Sequence, residues 1–358
     1  LTFDRNYTSE PTCFPSRATF FTGRYPHSTG MRNGGYSKFI KANLEANTLG
    51  PWLQQAGYYT AFAGKYINDY PLGAGPMHIP QGWSHWVVPA TNGDMHAKYD
   101  YTLNDDGETV SHGSAPADYS VDVYAAQARL FIDHAAAAGV PFAVLVTPPS
   151  PHVKEVPARR HADLFPTLQA PRPSSFPELD TSDKPPFMRL PLLDAGQIAQ
   201  IDERYRLRLR MLQAVDEALG GIERLLAERG LLESTYIVFT SDHGWHQGQH
   251  NQLPMKGRAY EEDIRVPLVV AGPRVPAGRR IDRPARDRSG PGHVVLTAVT
   301  RGTRRGNAGG VHCRGAPAVE VVAWNRRWPR PRPDRPSTAA PSHGCRSAPS
   351  ARCPATIP

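Results

Sequence analysis

Short apolar runs of strand length alternate with helical segments over the first 280 residues of this 358-residue chain. The clearest run, PFAVLVT at 141–147, is apolar throughout, which is typical of a strand buried on both faces of a sheet. Similar runs predict further strands at 58–63, 235–240 and 266–271. Helical patterns occupy 47–56, 121–138 and 195–229. The alternation favours an α/β fold with a mostly parallel, doubly wound sheet flanked by helices.

Polar residues follow three of the predicted strands directly or within a few residues. Lys65 follows the first strand, His152 the second, and Asp242 the third. Because ligands of open α/β sheets bind at the carboxyl ends of the strands, we expect a site at this edge. A hairpin is predicted over 99–110, where Asp106-Gly107 is a favourable two-residue turn.

Charge and cysteine content divide the chain in two. Residues 280–358 contain 15 arginines, no lysine and four acidic residues, a net charge of +11, which leaves −3 for residues 1–279. The overall charge of +8 therefore gives no argument for nucleic-acid binding by the folded part, and no nucleic-acid partner is expected. Three of the four cysteines also lie in the tail, so Cys13 is predicted to be a chemical residue rather than half of a structural disulfide.

We accordingly predict a folded domain at 1–279 and a tail at 280–358 that has no helical or strand period. The tail is either a disordered basic segment or the out-of-frame translation of a GC-rich gene, and its composition favours the second interpretation. No apolar run approaches the roughly 18 residues that a membrane span needs. The compartment is not determined, because a start at Leu1 says nothing about export.

The most specific motif is CFPSRATFFTGR at 13–24. It resembles the signature CxPSRxxxxTGR of the sulfatase family, which belongs to the alkaline phosphatase-like superfamily. The resemblance implies that a formylglycine-generating enzyme oxidises Cys13 to an aldehyde. The hydrated aldehyde carries two hydroxyls on one carbon, so one can attack sulfur and the other can later expel sulfate, which splits one difficult step into two. Cys13 is therefore the predicted nucleophile.

The same resemblance assigns partners to Cys13. Asp242 and His243 match the family's late metal pair and, with the modified Cys13, imply a divalent metal, most often calcium, with magnesium as the alternative. Lys65 and Lys256 match two lysines that bind the sulfate and the aldehyde hydrate. Two further residues complete the predicted site: Arg17, which stabilises the same anion, and His152, which contacts the sulfate ester or protonates the leaving oxygen.

Within the family the chain looks most like N-acetylglucosamine-6-sulfatases. The shared segments are Asn47-Thr48, Phe62 to Tyr66 with Asn68, Gly82-Trp83, Tyr101 to Leu103, Asp118 to Asp122, and Thr147-Pro148. This likeness implies a sulfated amino sugar of the glycosaminoglycan or mucin type as substrate. It also implies a secreted, periplasmic or lysosome-like location.

The chain departs from the family at both ends. We expect the family's first strand, with its two metal-binding aspartates, and its small carboxyl-terminal domain to be missing or incomplete here. Three functional hypotheses follow from the sequence. The chain is a sulfuric ester hydrolase, or an inactive fragment that at most binds sulfated glycans, or a phosphonate or phosphate ester hydrolase of the same superfamily.

Overall fold

A computed structural model describes residues 1–282 of the chain. Its larger sheet has five strands in the order β5-β4-β3-β2-β6. The strands are β2 (Tyr59–Gly64), β3 (His85–Pro89), β4 (Tyr101–Asp105), β5 (Glu108–His112) and β6 (Phe142–Thr147). Strand β2 lies between β3 and β6 and runs parallel to both, with Gly64 paired to Thr147 at its carboxyl end. The segments that follow β2 and β6 therefore begin next to each other at the same edge of the sheet.

A second sheet has four strands in the order β7-β8-β1-β9. These are β1 (Thr2–Phe3), β7 (Ile237–Thr240), β8 (Leu268–Ala271) and β9 (Arg280–Ile281). Strand β8 runs antiparallel to both β7 and β1, whereas β1 and β9 are parallel. Among the described residues, β6 and β7 are end strands of their sheets, and both supply side chains to one apolar core.

Seven α-helices pack around the sheets in the described residues. They are α1 (Cys13–Thr22), α2 (Pro26–Thr29), α3 (Tyr36–Lys41), α4 (Leu49–Gln55), α5 (Ser120–Ala138), α6 (Ala195–Glu228) and α7 (Glu261–Ile264). Side chains alternate across β2, so Phe62 packs in the core that contains α1, α3 and α4, while Ala61 and Ala63 pack in the core that contains α5 and α6. Helices thus cover both faces of the larger sheet.

These bounds confirm the predicted α/β class and most of the predicted elements to within three residues. The sheet, however, is mixed rather than mostly parallel. The two-residue turn at Asp106 and Gly107 has positive φ at both positions (51° and 94°), as the predicted hairpin requires. So short a connection can join only antiparallel strands, here β4 and β5, and β4 also pairs antiparallel with β3.

No helix of the described residues is long and apolar enough to cross a membrane. The predicted tail lies outside the described residues apart from positions 280–282, where β9 pairs with β1.

Candidate active site

Cys13 occupies the first position of α1 and is 5% exposed. The helix ends at Gly23, which adopts the left-handed conformation (φ 61°) and donates its N–H to the Thr19 carbonyl. A thiol at a helix N-terminus is close to the positive end of the helix dipole, which favours the thiolate. The signature sequence therefore places its cysteine where negative charge is stabilised.

Cationic and imidazole groups surround the Cys13 sulfur. The Lys256 ammonium donates to Sγ at 2.8 Å, and the Nε2 atom of His243 lies 3.3 Å from Sγ. Lys256 Nζ also lies 3.0 Å from His243 Nε2 and 3.4 Å from His152 Nε2. Cys13, His152, His243 and Lys256 are thus brought together, although more than 100 residues separate most of them along the chain.

The charges around Cys13 decide its ionisation. Burial and the Asp242 carboxylate would both raise the pKa of the thiol. Hydrogen bonds with His152 and His243 and the charge of Lys65 outweigh them and lower the pKa of Cys13 to about 3. The centre is therefore built to hold an anionic group.

Lys65 follows β2 directly and is 3% exposed. Burial, followed by the charge of Arg17, lowers the pKa of Lys65 to about 8, while Cys13 and Asp242 act in the opposite direction. The Lys65 carbonyl accepts from the Thr147 hydroxyl at 2.7 Å, so the carboxyl ends of β2 and β6 are tied together at the site. A buried ammonium beside an anion centre suits the predicted contact with sulfate oxygens.

Arg17 lies one helical turn from Cys13, and its guanidinium group donates hydrogen bonds to other residues of the site. Its Nε donates to Asp242 at 2.9 Å, and its Nη1 donates to the Lys65 carbonyl at 2.6 Å. Burial would raise the pKa of Asp242, but His243, Arg17 and the nearby lysines hold it well below its usual range. Arg17 therefore fixes an ionised Asp242 against the end of β2.

Asp242 and His243 follow β7 and converge on Cys13, and one ligand atom from each of the three residues lies within 4.8 Å of the others. His243 Nδ1 is 2.8 Å from the Gly244 carbonyl, an acceptor, so Nδ1 carries a proton, and Nε2 faces Cys13. Burial would lower the pKa of His243, but Asp242 and Cys13 raise it. A carboxylate, an imidazole lone pair and the Cys13 side chain are suitable donors for a divalent cation.

The sulfatase family model matches residues 1–293. The chain belongs to the sulfatase family. It is 33% identical over 317 residues to an arylsulfatase of Volvox carteri (80% of this chain, 48% of the relative) and 34% identical over 285 residues to N-acetylglucosamine-6-sulfatase of Homo sapiens (76% and 50%). The chain thus spans about half the length of these curated relatives.

Solved structures agree with this fold. A structure described in complex with its substrate D-glucosamine-2-N,6-O-disulfate has a TM-score of 0.62 and 23% identity, and the match covers 78% of this chain and 66% of that one. Phosphonate monoester hydrolase of Agrobacterium radiobacter has a TM-score of 0.52 and 19% identity, with 79% and 63% covered. Together they establish the alkaline phosphatase-like α/β fold of the sulfatase family for this chain.

All the residues predicted from the sulfatase signature and its partners lie in one region of the described structure. Sequence reasoning did not identify His96 and Lys98, which lie against His152. They lie between the shared segments Gly82-Trp83 and Tyr101 to Leu103 and belong to neither, so the sequence offered no signal for them.

Proposed function

We propose that this chain provides the catalytic domain of a sulfuric ester hydrolase that removes sulfate from a sulfated sugar. One observation carries the proposal: the signature cysteine lies in a buried centre with Lys256, His243, His152 and Lys65 around it. A sulfate ester is anionic and gains further charge on its leaving oxygen as it reacts. A centre with several fixed cations stabilises that charge.

In the proposed reaction Cys13 is first oxidised to formylglycine by its maturation enzyme and hydrated. One hydroxyl of the hydrate gives its proton to the site and attacks sulfur, the bond between sulfur and the sugar oxygen breaks, and the sugar oxygen leaves with a proton from the site. The second hydroxyl then loses its proton, the aldehyde carbonyl reforms, and sulfate is expelled. Water rehydrates the aldehyde.

Each neighbour has a proposed part in these steps. Lys65 and Lys256 bind the sulfate oxygens and the hydrate, and Arg17 holds Asp242 in place. His152 contacts the ester or protonates the leaving oxygen. Burial and the two lysine charges lower the pKa of His152, and a bound sulfate would offset those charges and favour the imidazolium.

We further propose a divalent metal, calcium in preference to magnesium, bound by Asp242, His243 and the modified Cys13. The arrangement of these donors fits such an ion, although calcium requires additional oxygen ligands from water or the ester. When bound, the metal would lower the pKa of the hydrate hydroxyl and polarise the ester oxygen.

A sulfated amino sugar such as a glucosamine 6-sulfate is the proposed substrate. The support is the likeness to N-acetylglucosamine-6-sulfatase of Homo sapiens, at 34% identity.

The test is expression of the full chain together with a formylglycine-generating enzyme. Mass spectrometry of the Cys13 peptide should show an aldehyde in place of the thiol. Aryl sulfate and glucosamine 6-sulfate should then be hydrolysed, with higher rates when calcium is added and none in the Cys13→Ala variant. Faster turnover of aryl phosphate or phosphonate would change the substrate class. A retained thiol, or glycan binding without turnover, would overturn the catalytic proposal.

A further inference from the structure

Two histidine rings are stacked at the edge of the candidate active site. The imidazoles of His96 and His152 are parallel to within 3°, and their centroids are 3.7 Å apart. Burial and the charge of Lys65 lower the pKa of His96 to about 2, so this ring is neutral at any working pH. His96 therefore covers one face of His152 without adding a charge beside it.

The Nδ1 atom of His152 is buried and has no hydrogen-bond partner within the described part of the chain, and the same is true of His96 Nδ1. In most functional histidines an acceptor on Nδ1–H fixes the tautomer and the ring plane. His152 lacks that acceptor, so its ring plane must be set in another way. The parallel ring of His96 is the group in position to do so.

Lys98 joins the two segments that carry these rings. Its ammonium, on a side chain only 3% exposed, donates to the carbonyls of His96 at 2.7 Å, His152 at 3.1 Å and Val153 at 3.4 Å. An ammonium has three N–H donors, and these three carbonyls use all of them. Burial lowers the pKa of Lys98 to about 7, so below that pH a single buried ammonium links both backbone segments.

We propose that His96 and Lys98 are positioning residues that hold the His152 imidazole against Lys256 and Cys13. Lys98 fixes the two backbone segments, and the His96 ring then fixes the plane of the His152 ring. The inference rests on the proposed function in that His152 is given a part in ester hydrolysis. Loss of either residue should leave substrate binding largely intact and misplace the His152 Nε2 atom.

The kinetic test compares His96→Ala with His96→Phe, which keeps an aromatic ring over His152. A misplaced reactive group costs on the order of tenfold to a hundredfold in rate, so His96→Ala should lower kcat by that factor with KM changed by less than about threefold. The Phe variant should recover most of the loss, because a stacked ring is restored. His134→Ala, an exposed histidine on α5, is the matched control. Equal kcat in the wild type and His96→Ala would overturn the inference.

A second measurement does not depend on turnover. In Lys98→Met the three carbonyls lose their common donor, so amide hydrogen exchange in peptides covering 94–98 and 148–156 should accelerate by about tenfold or more, with no change in β2. Lys41→Met, at an exposed lysine, is the control and should exchange like the wild type. Unchanged exchange in Lys98→Met would refute the proposed tether. If the wild type shows no turnover, the proposed function fails, and the exchange data alone decide this inference.

Discussion

Two histidines three residues apart, His243 and His246, have opposite surroundings. His246 and its partner Asp263 are fully buried, and the ring nitrogens of His246 lie 2.8 Å from Asp263 Oδ1 and 3.1 Å from the Leu253 carbonyl. His243 Nε2 instead lies among Cys13, Lys256 and Asp242, which compete for it. A histidine with each nitrogen satisfied by the protein stabilises the fold. One whose nitrogen faces an excess of charge is available for chemistry.

The His246–Asp263 pair also supports the charged centre. Asp263 accepts from the backbone N–H groups of His246 and Arg258, at 3.0 Å and 2.7 Å, and its own carbonyl accepts from Gly244 at 2.7 Å. The loop that carries Lys256 is therefore closed by a buried carboxylate. The buried His246–Asp263 pair thus fixes the loop that holds Lys256 in the charged centre.

The largest expected effect comes from removing the nucleophile of the charged centre. Cys13→Ala should lower sulfate ester turnover by at least about 10⁴-fold, because the covalent pathway is lost. The urea midpoint should also fall, because the substitution removes the buried anion that offsets the charges of the surrounding cations. Residual turnover close to that of the wild type would show that Cys13 is not the nucleophile.

Lys256 tests whether the cations around Cys13 contribute to catalysis. Lys256→Met keeps the length of the side chain but removes the ammonium that contacts Cys13, and kcat should fall by about 10² to 10³-fold. The variant should unfold at the same urea concentration as the wild type, because Lys256 is only half-buried. A loss of stability with unchanged kcat would assign Lys256 to the fold instead of the site.

Asp263 tests whether the buried His246–Asp263 pair stabilises the fold. Asp263→Asn breaks a fully buried pair and replaces an acceptor with a donor, so the free energy of unfolding should fall by about 2 to 4 kcal/mol. Activity should fall as well, because the Lys256 loop relaxes. Glu261→Gln, an exposed acid in the same helix, is the control and should cost less than about 0.5 kcal/mol. Equal losses of unfolding free energy in Asp263→Asn and Glu261→Gln would show that the buried pair stabilises the fold no more than an exposed acid does.

The smallest expected effect is on the rate of Cys13 alkylation, which should depend little on pH in the chain whose Cys13 has not been converted to formylglycine. The pKa of Cys13 is lowered to about 3, so the thiolate is present throughout pH 5–8. Iodoacetamide labelling of Cys13, followed by peptide mass spectrometry, should then vary less than about twofold across this range. The thiol of a free peptide should vary on the order of a thousandfold. A comparable rise at Cys13 would show that the cations around it do not stabilise the thiolate.

Much of the framework was predictable because its signals are local. The apolar run at 141–147 and the Asp106-Gly107 turn specify a strand and a hairpin from a few residues each, and both are present. The positions of Lys65 and Asp242 just after strands followed from the same patterns. The division of the strands into two sheets was not predictable, because pairings such as that of β1 with β8 join segments more than 260 residues apart.

The sequence by itself determined the family, through the motif at Cys13, and the order of strands, helices and charged residues along the chain. Only the tertiary structure decided which of those residues meet. It brought Lys256 to the Cys13 sulfur and Arg17 to Asp242, and it stacked His96 on His152 with Lys98 bonded to the backbone of both. The physical reason is that backbone propensities and turns act over a few residues. Ionisation and side-chain position depend on burial and on charges from distant segments, which folding alone brings within 3 to 4 Å.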